Sequence, residues 1–296
     1  MDRLLRGLDG SKTIRVVAAV TTDLVRDAAQ RHALQGATAV LLGRGLTLGC
    51  LLATLTKGVE ERVRIAVRGD GPLGRVLVDA RGDGRVRGCF GSERAAKLRL
   101  PATGPRAVLG PLVGSGEVVV TRDVGLDNAY QGVVQLDSGE LDEDLERYLA
   151  NSEQLPSVLR CQVTVDEHGA VVRAAGILAQ TFPGSPPEQL DVVRNALRGN
   201  GLAEVLRHDR EPEALIGFAL AGGEYHLTTD VELRFSCMCG RDRARSIVST
   251  LGADDIDALA NEQGGTEVRC SFCGDAYSLS KQELHELAAQ MRAQVN

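Results

Sequence analysis

Tryptophan is absent from the 296 residues and aromatic side chains make up only 3% of them, which removes the stacking platforms on which single-stranded nucleic acids are held. Positive charge is not in excess either. The formal net charge is -6, the wrong sign for a surface whose main task is to hold phosphate backbones. The five histidines, His32, His168, His208, His226 and His285, form no short metal-binding spacing, and no P-loop, GxSxG or HExxH pattern occurs. Gly69, Gly71 and Gly74 lie between alternating strand-like runs, not between a strand and a helix, so no dinucleotide fold is read there. With no acid, base and nucleophile set, the chain is read as a non-enzyme. Long apolar runs are also missing: the richest stretch, Ala39 to Leu55, is broken by Arg44 and contains Gly43, Gly45 and Gly49, the pattern of a buried helix and not of a membrane span. MDRLLRGLDG at the start carries Asp2, Arg3, Arg6 and Asp9 and no apolar core, so the expectation is a chain that stays in a reducing cytoplasm.

Against these absences stand four cysteines near the C-terminus. Cys237 and Cys239 form a CxC clip, and Cys270 and Cys273 a CxxC clip. Two short clips supply four soft ligands, which is how a chain builds a closed, tetrahedral, all-cysteine zinc site. Arg234, Arg241, Arg243, Arg245 and Arg269 lie near the clips in sequence, where they would offset the anionic cluster and keep the sulfurs as thiolates. Should the metal leave, Cys237 with Cys239 and Cys270 with Cys273 are the local partners, although four cysteines allow three connectivities and locality does not exclude the others. Cys50, Cys89 and Cys161 sit in apolar or strand contexts and read as small buried hydrophobes.

Hydrophobic spacing predicts helices over 23–31 and 33–57, then a β-meander through Val63, Ile65 and Val67, Val76 and Val78, and Val86. Strands are expected at 117–121, 131–136, 160–165 and 171–175, with an acidic amphipathic helix over 141–149. The fold class is therefore α+β, with an N-terminal mixed domain of about residues 1–180. Pro183, Gly184, Ser185, Pro186 and Pro187 interrupt it. Short helices over 189–198, 202–207 and 212–220 follow, too short to be stable unless packed, so residues 181–232 read as a helical linker of conditional stability. A strand over 231–235 then delivers the CxC clip, a helix over 241–251 follows, and residues 267–269 deliver the CxxC clip. Ser280 with Glu283 forms a capping box that opens a terminal helix. The small unit 233–296 needs a staple, because so short a chain buries little apolar surface.

The spacing of the clips within RFSCMCGRDR and VRCSFCGDAYSL resembles the 33 kDa chaperonin family, the redox-regulated heat-shock holdases of the bacterial cytoplasm. GDGP at 69–72, VGSGEVVVTRD at 113–123, YQGVV at 130–134, SEQLPS at 152–157 and GILAQTFPG at 176–184 resemble that family's segments in its order. Gly240 and Asp242 depart from the family's expected Ser and Glu, outside the ligands. The resemblance implies that Cys237, Cys239, Cys270 and Cys273 bind one zinc ion in a reduced, inactive state. It further implies that oxidation forms Cys237–Cys239 and Cys270–Cys273 disulfides and expels the metal. The unit and linker then unfold, and the exposed apolar surface of a homodimer binds unfolding client proteins without ATP. Two competing readings are a zinc ribbon that binds nucleic acid through Arg241, Arg243 and Arg245, and a thiol–disulfide exchange site at the CxxC.

Overall fold

The computed structural model describes residues 1–56, 58, 61–102, 104, 106–123, 130–182, 184–208 and 211–295. Lys57, at the end of an expected helix, and Pro183, in the expected break, lie outside these residues. Two compact units are present, residues 1–236 and 237–296.

In the first unit the chain runs β1 (Arg3–Asp9), β2 (Ile14–Val20), α1 (Thr22–Arg31), α2 (Ala37–Ala53), β3 (Arg62–Gly69), β4 (Arg75–Arg81) and β5 (Arg85–Phe90). Two single turns, α3 (Glu93–Ala96) and α4 (Gly110–Val113), lead to β6 (Gly116–Asp123), β7 (Tyr130–Gln135), α5 (Leu141–Asn151), β8 (Ser157–Val165) and β9 (Val171–Thr181). A 3-10 turn at Pro187–Leu190, then α6 (Asp191–Ala196), α7 (Gly201–His208), α8 (Pro212–Ala219), β10 (Tyr225–Glu232) and β11 (Arg234–Phe235) complete it. The strands form a five-stranded sheet in the order β10-β1-β2-β9-β8 and a six-stranded sheet in the order β11-β5-β4-β3-β6-β7.

Helix α2 lies between the two sheets, in contact with β2, β8 and β9 on one side and β3, β4 and β5 on the other. All 17 of its residues are buried, which is why it carries no polar face. Its glycines do not break it. A methyl group on Gly43 would come within 2.6 Å of Val25 Cγ1, and one on Gly49 within 2.9 Å of Val78 Cγ1; the bare backbone lets α1 and the six-stranded sheet approach closely, which offsets glycine's helix cost of about 1 kcal/mol. The meander and the acidic helix α5 form where the periodicity places them, while the hairpin expected at 160–165 and 171–175 runs longer, as Ser157–Val165 and Val171–Thr181.

The outer face of the five-stranded sheet is a second apolar layer. Leu5, Ile14, Val16, Ala18, Val158, Ile177 and Ala179 pack there against Leu190, Val193, Leu197, Leu202, Leu206, Leu215 and Ile216 of the segment after β9. The short helices of that segment are thus folded onto the sheet. The segment is not helical to its end: Tyr225–Glu232 is a strand, β10, that pairs antiparallel with β1. Strands β1 and β2 are additions to the expected elements: they form a local antiparallel hairpin, Arg3 opposite Val20 and Leu8 opposite Arg15, while the pairing of β1 with β10 joins residues more than 200 positions apart. The strand expected over 231–235 is split at Leu233, whose N–H is held by the Asp2 carbonyl at 3.0 Å. Beyond it β11 joins the other sheet, parallel to β5.

Asp2 links this junction to α1: its carboxylate accepts the Leu24 N–H at 2.6 Å, capping the helix, while only 3% of the residue is exposed. Burial raises its pKa to about 6, against the pull of the Leu24 and Asp23 N–H groups. Because the folded value lies above the unfolded one, this group's contribution is fully present below about pH 4 and is lost as pH rises through 6. Asp2→Asn keeps an acceptor for Leu24 and removes the charge. It is expected to be more stable than the parent by about 3 kcal/mol at pH 8, with the difference shrinking as the pH falls to 4.5. Urea titrations of both proteins at several pH values read this out, and a pH-independent difference would contradict the assignment.

The second unit comprises α9 (Arg241–Val248), α10 (Ala253–Gln263), a hairpin of β12 (Gly265–Arg269) and β13 (Ala276–Ser280), and α11 (Lys281–Val295). Its core is Val248, Ile256, Ala260, Leu279, Leu284, Leu287 and Ala288. Helix α10 and strand β13 are additions to the expected elements. Gly264, at φ 74, ends α10 in the left-handed conformation, and Asp257 holds His285 Nδ1 at 2.6 Å and Arg292 at 2.7 Å, fastening α10 to α11. The capping box is formed: Glu283 Oε2 accepts the Ser280 N–H at 2.9 Å, and Ser280 Oγ accepts the Glu283 N–H at 3.4 Å.

Candidate metal centre

The four sulfurs of the two clips converge. Cys237 and Cys239 follow β11 and precede α9, while Cys270 and Cys273 occupy the turn of the β12–β13 hairpin. That turn is held by the Cys270 N–H on the Asp275 carbonyl and the Gly274 N–H on the Cys270 carbonyl, both 2.8 Å, with Gly274 at φ 79. Arg269 Nη1 donates to the Gly274 carbonyl at 3.0 Å. All four Sγ atoms lie within 4.8 Å of one another. Cys237 stands 3.6 Å from Cys270, and Cys239 stands 3.2 Å from Cys273.

Tetrahedral coordination with metal–sulfur bonds near ~2.3 Å sets sulfur–sulfur edges of about 3.8 Å. The observed spacing fits four thiolates around one ion, so the group could hold a metal. Cys273 is buried and the other three are partly so, the setting of a closed site with no open coordination position. Burial opposes ionisation of Cys270, yet the N–H groups of Cys273 and Phe272 and the Cys237 thiol outweigh it and hold its pKa below the ordinary thiol value. Burial pushes the Cys273 thiol up, as do Cys239 and Cys270 beside it.

Of the arginines near the clips, Arg241 reaches Glu283 at 2.5 Å and Arg269 reaches Glu267 at 3.0 Å, so carboxylates share their charge. Glu283 is held down to about pKa 2, chiefly by Arg241 and then by Ser280. The same carboxylate therefore caps α11 and anchors the residue two positions beyond Cys239. Sequence reasoning passed over Tyr277, whose hydroxyl lies 3.1 Å from Cys239 Sγ. Nothing local marks that tyrosine, because the hairpin register decides its position. Cys50, Cys89 and Cys161 are buried in the first unit, and burial drives the thiol pKa of Cys50 and of Cys161 far up, with Asp2 and Asp142 respectively adding to it. These two are packing residues and not nucleophiles.

An all-sulfur cluster in a small unit, following in sequence a two-sheet body that carries an apolar layer under short helices, defines a protein in which a four-cysteine module able to hold a metal follows a mixed α+β domain. A family model described as Hsp33 protein matches residues 2–280. The 33 kDa chaperonin of Thermus thermophilus is 37% identical over 303 residues, covering 99% of this chain and 88% of that one. That of Desulforamulus reducens is 33% identical, over 97% of each chain. The crystal structure of the 33 kDa chaperonin from Thermotoga maritima superposes with a TM-score of 0.88 at 26% identity, over 98% of this chain and 99% of that one. The chain belongs to the Hsp33 family, and with it to the molecular chaperones. No helix among the described residues is long and apolar enough to cross a membrane.

Proposed function

We propose that this chaperone is a holdase, independent of ATP and switched on by oxidation. The observation that carries the reading is the apolar outer face of the five-stranded sheet, covered by helices of six to eight residues. Isolated helices shorter than about 12–15 residues are marginal in water, so these persist only while docked. The polar ties that dock them are weak: Arg194 to Glu146 at 3.1 Å and Arg3 to Glu213 at 3.1 Å are partly exposed pairs, of a kind worth about 0–1 kcal/mol each. A cover held by short helices can leave, and its departure would uncover Ile14, Val16, Ile177 and Ala179 to an unfolding client.

In the reduced protein Cys237, Cys239, Cys270 and Cys273 would hold one zinc ion, which when bound supplies a cross-link between the two clips. Peroxide or hypochlorite removes two electrons from a thiolate, leaving a sulfenic acid, and a second thiolate displaces hydroxide to close a disulfide. Two such closures consume all four ligands. The pairs Cys237–Cys239 and Cys270–Cys273 stay tethered by one and two intervening residues when the unit loosens, which favours them over the cross-clip contacts of the folded state. Unfolding of the unit would then loosen the segment 181–232 that precedes it, and association into a homodimer belongs to the same reading, as does action in the cytoplasm.

The test compares reduced, zinc-loaded protein with the same sample after hypochlorite or warm peroxide. Expected are release of zinc, loss of the four clip thiols, disulfides within each clip by peptide mapping, and suppression of aggregation of a thermally unfolding client only after oxidation. Equal suppression before and after would remove the switch.

A further inference from the structure

The CxxC turn is closed by its own backbone, the Cys270 N–H on the Asp275 carbonyl and the Gly274 N–H on the Cys270 carbonyl, both 2.8 Å. Cys239 lies in the shorter CxC clip and meets a side chain. Tyr277 Oη is 3.1 Å from its Sγ. Among the described residues the other group in hydrogen-bonding range of that sulfur is Cys273 Sγ. An ionised sulfur has no proton to give, so in the thiolate state the tyrosine hydroxyl is the donor. The position is built in: Tyr277 pairs with Val268 across the hairpin and shares a strand face with Leu279, which is 2% exposed in the core of the unit.

We infer that Tyr277 is a positioning residue for the thiolate centre, one that fixes Cys239 and slows its oxidation. The inference rests on the metal-binding, oxidation-sensitive reading above. A donated hydrogen bond draws charge from the sulfur, which weakens it as a nucleophile towards peroxide and steadies it as a ligand. In the step it restrains, the Cys239 thiolate gives two electrons to the O–O bond of hydrogen peroxide, leaving Cys239 as a sulfenic acid and releasing hydroxide. A neighbouring thiolate then displaces a second hydroxide to form the disulfide.

The test uses the full chain, reduced and zinc-loaded, as parent and as Tyr277→Phe, which keeps the ring and removes only the hydroxyl. A chromogenic chelator follows zinc released by hydrogen peroxide. The variant is expected to release zinc about tenfold faster, within the range found for removing an outer-shell partner of a metal ligand. In the cobalt(II)-substituted proteins the thiolate-to-metal charge-transfer band of the variant moves to lower energy, a signature that ring packing alone would not alter. Equal release rates with an unshifted band would overturn the inference while leaving the oxidation switch intact. A parent protein that takes up no metal, or keeps it in peroxide, would overturn both.

Discussion

Stripping metal from the reduced chain with a strong chelator is expected to unfold residues 237–296. A structural four-thiolate zinc site contributes about 10–16 kcal/mol of apparent binding free energy, whereas an entire domain is stable by about 5–15 kcal/mol. The core that would remain consists of seven buried residues, two of them alanines, and the side-chain ties between α10 and α11 are exposed hydrogen bonds that Arg292 donates to Asp254 and Asp257 and a partly buried contact of His285 with Asp257. Such a core cannot offset the ordering of the chain around it. Trypsin is expected to cut at Arg241, Arg243, Arg245 and Arg269 within minutes of chelation, and the amide resonances of the unit to collapse into the narrow range of an unfolded chain. Cys273→Ser, at the most buried of the four cysteines, is expected to do the same without a chelator. Survival of the fold with no metal bound and the thiols reduced would refute the role assigned to the clips.

Arg44→Ala is expected to destabilise the first unit by about 3–5 kcal/mol, the cost of leaving a buried charge without its partner. Arg44 is 0% exposed in the middle of α2. Its Nη1 lies 2.5 Å from Glu140 Oε2 and its Nη2 2.6 Å from the Ala107 carbonyl. Glu140 Oε1 in turn accepts the N–H groups of Leu109 at 2.5 Å and Gly110 at 3.0 Å, so the pair ties the interior helix to the chain entering α4 and to the start of α5. Arg106 extends the network to Asp142 at 2.8 Å. Removing the cation leaves the buried Glu140 with only the longer Arg106 contact, 3.9 Å from its Oε2, among dipoles arranged for a close ion pair. The double variant Arg44→Met with Glu140→Gln fills much of the volume, removes both charges and keeps a carbonyl for Leu109 and Gly110. It is expected to recover more than half of the loss, since apolar replacements of buried pairs are often neutral. Urea unfolding of the reduced, metal-loaded proteins decides the point, and a double variant no better than Arg44→Ala would show that the network matters for more than its charge balance.

The fate of Arg44 shows how far the sequence could be read. An arginine among leucines and glycines pointed correctly to a helix buried in protein and not in lipid, because a lone charge in an apolar run must find a partner inside. Which partner it finds lies about a hundred residues away and leaves no local trace. The grouping of the four cysteines was legible for a different reason. Cys237, Cys239, Cys270 and Cys273 carry chemistry that few other arrangements use, and the short spacing within each clip already limits how far apart the sulfurs can be. Tyr277 has neither property, and only the β12–β13 register sets it beside Cys239.

The sequence by itself determined the α+β class through the order of its periodic segments, and the meander, the capping box at Ser280 and Glu283 and the two cysteine clips, since each of these follows from residues close to one another in the chain. Tertiary structure alone decided that β1 and β10 close the five-stranded sheet, that the helices after β9 lie on its apolar face, and that the chain changes sheets at Leu233. Those outcomes depend on pairings between distant segments. Their stability comes from surface buried jointly by both partners, which neither partner's own pattern can specify.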